Sequence, residues 1–486
     1  MTRTIIAAGL ALTLLGGAAP AASARPAGPT IAWGHCEDEI LKARKAQCGF
    51  LAVPLDYADP GGAKIRIAVS RSKAKGPARE RRGILLSNPG GPGASGLVPT
   101  NPIFGYDAVG FDPRGIGASR PKLRCTPPAP FRGLAPSYAP PGSPNSAVSA
   151  GEKKWLKQSR ELARNCAKSG PILAHMTTIE VARDMDAIRA ALGEEKLSYF
   201  GNSYGTYLGQ VYATLFPQRV DRMLLDSVVS PKGIWYDFQL EQAVGAEKGV
   251  DRFWAWIARR HARFGLGTSA AAARRWALRE RGALTRHPVG GIGPREWSDV
   301  LELAGSDFLR KRVAVALGAW KSGDRRRMQD LVTEFELGGR AALPVTAYLP
   351  VTCTDGAWPR DYATVRRDAF ALAERAPVMG WSATVYNLPC LYWPAPQRTP
   401  ATIAGMGLPP LLLLNSEFDG STPLSGALTA RDTLPSASLV LLAKSSRHGV
   451  LNSVSACVLD LVRRYFDDGA VPPRKGSRGP DVSCRE

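Results

Sequence analysis

The hydrophobic and polar positions divide the chain into two regions of alternating strand and helix patterns, separated by a long helical stretch. Lys64 to Ser70 alternates, with Ile65, Ile67 and Val69 on one side, as a half-buried strand does. Arg71 to Arg82 is basic and polar and reads as a solvated hairpin loop. Ile84 to Leu86 is a short apolar run that ends in the glycine-rich Asn88 to Gly93. Tyr106 to Phe111 predicts a further strand leading into D-P-R-G-I-G at Asp112 to Gly117. Residues 126–145 are rich in proline, which predicts an irregular surface excursion. Thr177 and Glu180 have capping-box spacing ahead of an amphipathic helix reaching Leu192. Leu197 to Phe200 then predicts a buried strand, Ser203 to Phe216 a helix, and Val220 to Val229 another strand.

From 230 to 408 the strand-like runs largely vanish. Trp, Arg, Ala and Leu recur there at helical spacing, as in Phe253 to Phe264 and Val300 to Leu317. Strands return at Pro410 to Asn415 and Ser438 to Leu442, with helices near Leu424 to Leu434 and around Ser453 to Phe466. Such alternation predicts an α/β fold, a mostly parallel sheet with helices on both faces. The division it suggests is a leader at 1–24, a first part of the core at 25–229, a helical cap or lid at 230–408, and the rest of the core at 409–486.

Composition narrows the class. A 44% hydrophobic fraction supplies a full core and excludes wholesale disorder, and 50 Gly and 39 Pro without a three-residue period exclude collagen. The net charge of +21 is spread along the chain. No basic stretch is interleaved with stacking aromatics, so nucleic acid is not an expected partner. Arg3, the apolar run Ile5 to Leu15 and Ala22-Ser23-Ala24 have the layout of a secretory signal peptide. That run is too short for a bilayer, which needs about 20 residues. The expectation is an exported, soluble protein starting near Arg25, with no stable membrane anchor. All 8 cysteines lie downstream and none forms C-x-x-C, which argues against a zinc cluster and for four disulfides. Spacing alone does not choose among the roughly 105 arrangements that eight cysteines allow.

The candidate chemistry begins at Gly201-Asn202-Ser203-Tyr204-Gly205, a G-x-S-x-G between an apolar strand and an amphipathic helix. A serine on such an elbow is presented above the sheet as a nucleophile, and it needs a base to take its proton. In elbows of this kind the acid and then the histidine follow the serine in the chain. Of His35, His175, His261, His287 and His448, only His448 lies beyond the last predicted strand, and it is the expected base. Asp419 in E-F-D-G-S-T-P is the expected acid, with Glu417 and Asp226 as rivals. The oxyanion of a tetrahedral intermediate needs two backbone donors, expected at Tyr204 N–H and at Gly91 N–H, since Pro89 and Pro92 have none. No pattern calls for a metal or an organic cofactor; the glycine-rich run lacks the G-K-[ST] of a phosphate loop.

These motifs, taken together, are similar to those of a known family. W-x-x-C at Trp33, V-P-L-D-Y at Val53, N-P-G-G-P-G-x-S-G at Asn88 and D-x-R-G-x-G-x-S at Asp112 come first. G-N-S-Y-G-T-Y-L-G at Gly201, C-x-D at Cys353, C-x-x-W-P at Cys390, D-x-x-T-P at Asp419 and a C-terminal cysteine tail follow. In these the chain resembles the secreted tripeptidyl-aminopeptidase family of α/β-hydrolases, relatives of proline iminopeptidases. The resemblance implies an α/β-hydrolase core with a large helical lid and a triad of Ser203, Asp419 and His448. It also implies disulfides between sequence neighbours: Cys36 with Cys48, Cys125 with Cys166, Cys353 with Cys390, and Cys457 with Cys484. Arg447 departs from the family pattern, which usually has glycine before the histidine.

The expected function is a secreted serine exopeptidase acting on peptides with a free N-terminus, with a carboxylesterase using the same triad as the alternative. A substrate ammonium entering a partly buried pocket needs carboxylates to pair with it. Asp237 and Glu241, four apart and so on one helical face, and Asp355 are the candidates.

Overall fold

A computed structural model of the chain describes residues 30–100, 105–126, 142–335, 337, 345–476 and 479–486. The expected leader and most of the proline-rich excursion lie outside the described residues. The strands are β1 (Gly34–His35), β2 (Gln47–Pro54), β3 (Lys64–Ser72), β4 (Ile84–Asn88), β5 (Asp107–Phe111), β6 (Leu197–Asn202), β7 (Val220–Asp226), β8 (Leu411–Ser416), β9 (Ala437–Leu442) and β10 (Val482–Cys484). They form one sheet in the order β1-β2-β3-β5-β4-β6-β7-β8-β9-β10. The stretch from β5 to β10 is parallel, and β1, β2, β3 and β5 are antiparallel in succession.

The parallel strands are apolar at nearly every position because both faces are covered. In β8, Leu411 and Leu413 face one core, and Leu412 and Leu414 face the other. The first core packs Val181, Met185 and Ile188 of the helix Thr178–Ala191 and Tyr207, Leu208 and Val211 of the helix Tyr204–Leu215. The second is closed by Val458, Val462, Tyr465 and Phe466 of the helix Ala456–Asp468. Each such leucine, fully buried, contributes about 1.5–3 kcal/mol.

Four expectations change. Arg71–Arg82 does not close a hairpin, since β5 lies between β3 and β4. The reason is burial: every residue of β4 is buried, which suits the middle of the sheet, whereas β3 begins as an amphipathic strand near its edge. β7 stops at Asp226, and the next residues turn, with Ser227 at φ +61°. The period read over Val300–Leu317 is broken by a turn between the helices Pro294–Leu303 and Arg310–Lys321. His448 is beyond β9, but β10 follows it and pairs with β9. The helix Ala150–Ala167, rich in lysine, and the strand β2 carried too weak a period to be expected.

All named elements between β7 and β8 are helical. Phe253, Trp254, Trp297, Val300, Leu317 and Trp320 form a core of their own there. The stretch is also rooted in the sheet's core at both ends, through Ile234, Trp235 and Phe238 at the start and Leu349, Cys353 and Trp393 near the finish. The four disulfides are those the family resemblance implied, and they join Cys36–Cys48, Cys125–Cys166, Cys353–Cys390 and Cys457–Cys484.

Candidate active site

Ser203 follows β6 and opens the helix Tyr204–Leu215 with φ +54° and ψ −123°. A side chain in that region costs about 1–3 kcal/mol and persists only where its surroundings fix it. Here Ser203 N–H donates to the main-chain carbonyl of Asp226 at 3.0 Å, and its own carbonyl accepts the Thr206 N–H at 2.8 Å and hydroxyl at 2.7 Å. The two motif glycines are required by packing. A methyl on Gly201 would lie 2.3 Å from the Gly205 carbonyl oxygen, and one on Gly205 would lie 2.6 Å from that of Asn88.

The loop after β9 carries His448, and the loop after β8 carries Asp419. His448 Nδ1 lies 2.9 Å from Asp419 Oδ2 and 3.1 Å from Oδ1. The carboxylate, 2% exposed, also accepts the N–H groups of Ser421 and Thr422 and the Thr422 hydroxyl. Burial pulls the imidazole pKa down, but the hydrogen bond and charge of Asp419, with the charge of Asp226, outweigh it and hold the group above its ordinary value. The rival acids are occupied elsewhere. Glu417 accepts the Lys444 N–H at 2.7 Å, and Asp226 accepts those of Val450 at 2.7 Å and Leu451 at 2.9 Å.

The glycine-rich loop after β4 lies directly against the serine turn. A methyl on Gly90 would lie 2.8 Å from Asn202 O, 2.9 Å from Ser203 Cβ and 3.4 Å from Tyr204 N. The Gly90 N–H donates to Asn88 Oδ1 at 3.0 Å. Gly91, next in the chain at φ +111°, sits within one residue of this contact with the Tyr204 amide. Behind Gly96, Asp112 of D-P-R-G-I-G accepts the Ser95 hydroxyl and the Gly96 and Ala118 N–H groups, which fixes the loop's far end. Arg114, fully buried, pairs with Asp184 and Glu180, so the Glu180 side chain does not complete the capping box, and only its N–H donates to the Thr177 hydroxyl oxygen.

A cavity of about 540 Å³ opens beside His448 and Asp419, walled on the insertion side by Glu302, Phe308 and Met379. Arg447 shares this wall, with its guanidinium drawn to Glu486 at 3.0 Å and laid over the Phe308 ring. The three carboxylates expected to meet an ammonium are not among its lining residues. Asp355 is 2% exposed and accepts the Thr178 N–H, the Thr178 hydroxyl and Trp235 Nε1–H, beneath Tyr204. Asp237 and Glu241 are exposed on the helix Tyr236–Ala258, where Glu241 borders a separate hollow of about 390 Å³. Besides Asp419, Glu302 is the acid among the cleft's lining residues, and the sequence did not single it out. Glu302 stands exposed near the end of the helix Pro294–Leu303, on the wall of the cleft. Glu296, Asp299 and Glu302 at three-residue spacing were the available signal. Among the described residues no group of three or more His, Cys, Asp or Glu side chains is arranged to hold a metal ion.

The sequence model of the alpha/beta hydrolase fold matches residues 83–451, which span the glycine-rich loop, the serine turn and the histidine. The chain belongs to the α/β-hydrolase family. Within that family it is 39% identical to a tripeptidyl aminopeptidase of Streptomyces coelicolor, over 95% of this chain and 87% of that one. It is 29% identical to the serine protease Hip1 of Mycobacterium tuberculosis, over 92% and 90%. It is 31% identical to a protein named carboxylesterase B of the same organism, over 93% and 92%. As an α/β-hydrolase, the chain presents its serine at the carboxyl end of the central parallel strands, where this class of sheet places its sites.

Proposed function

We propose that the protein is an exported serine exopeptidase that releases short peptides from free N-termini through an acyl-enzyme on Ser203. The observation that carries this is the His448–Asp419 pair on the loops after β9 and β8, at the same end of the sheet as a serine in a strained strand-to-helix turn. Relatives named tripeptidyl aminopeptidase and serine protease support the peptidase reading, and four disulfides are in keeping with an oxidising destination. No helix among the described residues is long and apolar enough to cross a membrane.

In this mechanism His448 takes the Ser203 proton as Oγ bonds to the scissile carbonyl carbon. Asp419 holds the imidazole tautomer and stabilises the imidazolium. The oxyanion forms against the N–H groups of Tyr204 and Gly91, each lowering the barrier by about 2.7–4 kcal/mol. The C–N bond then breaks as His448 returns the proton to the leaving amine, and water repeats the sequence to release the acyl peptide. The helical insertion acts as the lid, and Glu302 supplies the carboxylate that faces the substrate ammonium. A carboxylesterase is the second reading, favoured by the relative of that name.

A serine-directed fluorophosphonate tests the nucleophile. It should label Ser203 alone, and Ser203→Ala and His448→Ala should each keep the fold and lose at least about 10³-fold in turnover. Labelling at another residue, or turnover preserved in Ser203→Ala, would remove the assignment.

A further inference from the structure

The turn that ends β7 touches the serine turn and the histidine loop directly and reaches the Asp419 loop through Asn415 of β8. The Asp226 main-chain carbonyl accepts the Ser203 N–H at 3.0 Å. The Asp226 side chain reaches the other way, one oxygen to Val450 N–H at 2.7 Å and the other to Leu451 N–H at 2.9 Å, just past His448. Ser227 Oγ accepts the Gly449 N–H at 2.7 Å, directly after the histidine. Val228 N–H donates to Asn415 Oδ1 at 2.8 Å, and the Asn415 amide donates to Thr422 O at 3.1 Å, on the loop that caps Asp419.

This arrangement carries a cost that a mere connection between strands would not need. Ser227 is held at φ +61°, in the left-handed region. Asp226 is 1% exposed, and among the described residues no lysine or arginine pairs with it. Burial pushes its carboxyl up to about 6 against the two N–H donors and the nearby imidazole. An asparagine would satisfy only one of those donors, because its amide nitrogen would face the other N–H. The carboxylate is thus the group that accepts both. The charged groups facing His448 are Asp419, Asp226 below it, Glu302 across the cleft, and Arg447, which is drawn to Glu486.

We propose that Asp226 is a positioning residue that holds the serine turn and the histidine loop in one frame, and that its negative charge joins Asp419 in stabilising the imidazolium. The inference rests on the triad reading, and the experiment separates the two. The full chain carrying Asp226→Asn is compared with wild type for kcat, KM and the pH profile of kcat/KM on a tripeptide anilide, with Tm measured alongside. The expected result is a loss of about tenfold or more in kcat, KM within about twofold, and the acid-limb midpoint moved to lower pH, because one negative charge near His448 is gone. An unchanged kcat, or a lowered Tm with an unmoved midpoint, overturns the proposal. If Asp226→Asn does not fold, Ser227→Ala removes the acceptor for Gly449 N–H and the longer hydroxyl contact to Asp226 Oδ1 at 3.4 Å while keeping the carboxylate. It should cost about threefold or more in kcat at unchanged KM, and an unchanged kcat overturns the proposal equally. Ser203→Ala run in parallel reads the triad itself. If it is inactive while Asp226→Asn is fully active, this inference fails alone; if it turns over substrate, the catalytic reading fails with it.

Discussion

At the residue scale, the electrostatics of the site centre on His448. Its folded pKa lies above the ordinary imidazole value of about 6.5 because Asp419 and Asp226 together outweigh its burial. In the proposed mechanism His448 must be neutral to take the serine proton, so the protonated, inactive form persists to higher pH than for a free imidazole. The acid limb of kcat/KM should therefore have its midpoint above about pH 6.5, measured on a tripeptide anilide at constant ionic strength. A midpoint below that value would mean that the charges near His448 act less strongly than burial. Residue placement was legible where a motif has one purpose: Ser203 in a tight turn from its glycine frame, and His448 and Asp419 on neighbouring loops, now seen within hydrogen-bond distance. Which acids line the cleft was not legible. Asp237, Glu241 and Asp355 are acids at suggestive positions, but only packing decides which carboxylate meets a cavity, and packing turned Asp355 inward toward Thr178 and Trp235.

At the element scale, the site is made by loops pressed together at the carboxyl ends of β4, β6, β7, β8 and β9. The contact between the glycine-rich loop and the serine turn leaves no room for a side chain at Gly90, whose φ is +109° and whose added methyl would meet Asn202 O at 2.8 Å. Gly90→Ala should fold with a reduced Tm and lose about tenfold or more in kcat, because the loop must retreat from the Tyr204 amide. A variant with wild-type kcat would show that this contact does not shape the oxyanion site. Strands β4, β6, β8 and β9 were readable because buried parallel strands are continuous apolar runs. The β3–β5–β4 order was not, since pairing depends on which strand can be covered on both faces. The turn at 304–309 also escaped the helical period, although it is what places Glu302 and Phe308 at the cleft.

At the scale of the whole molecule, the helical insertion is anchored at both ends in the sheet's own core, and Cys353–Cys390 staples its later part. In the chain-entropy picture a loop of that size gives about 4 kcal/mol. Replacing both cysteines with serine should lower Tm by several degrees and leave fluorophosphonate labelling of Ser203 intact; an unaltered Tm would show that the staple carries no stability. The proposed exopeptidase acts under a lid that offers an acid to the substrate ammonium. The most direct measurement of that action is kcat/KM on two tripeptide anilides that differ only in N-acetylation. The free-amine substrate should be cleaved at least about tenfold faster, about 1.4 kcal/mol of transition-state stabilisation, and Glu302→Gln should shrink that ratio. Equal rates for the two anilides would contradict the exopeptidase account, and rapid hydrolysis of simple esters with no anilide cleavage would establish the carboxylesterase instead.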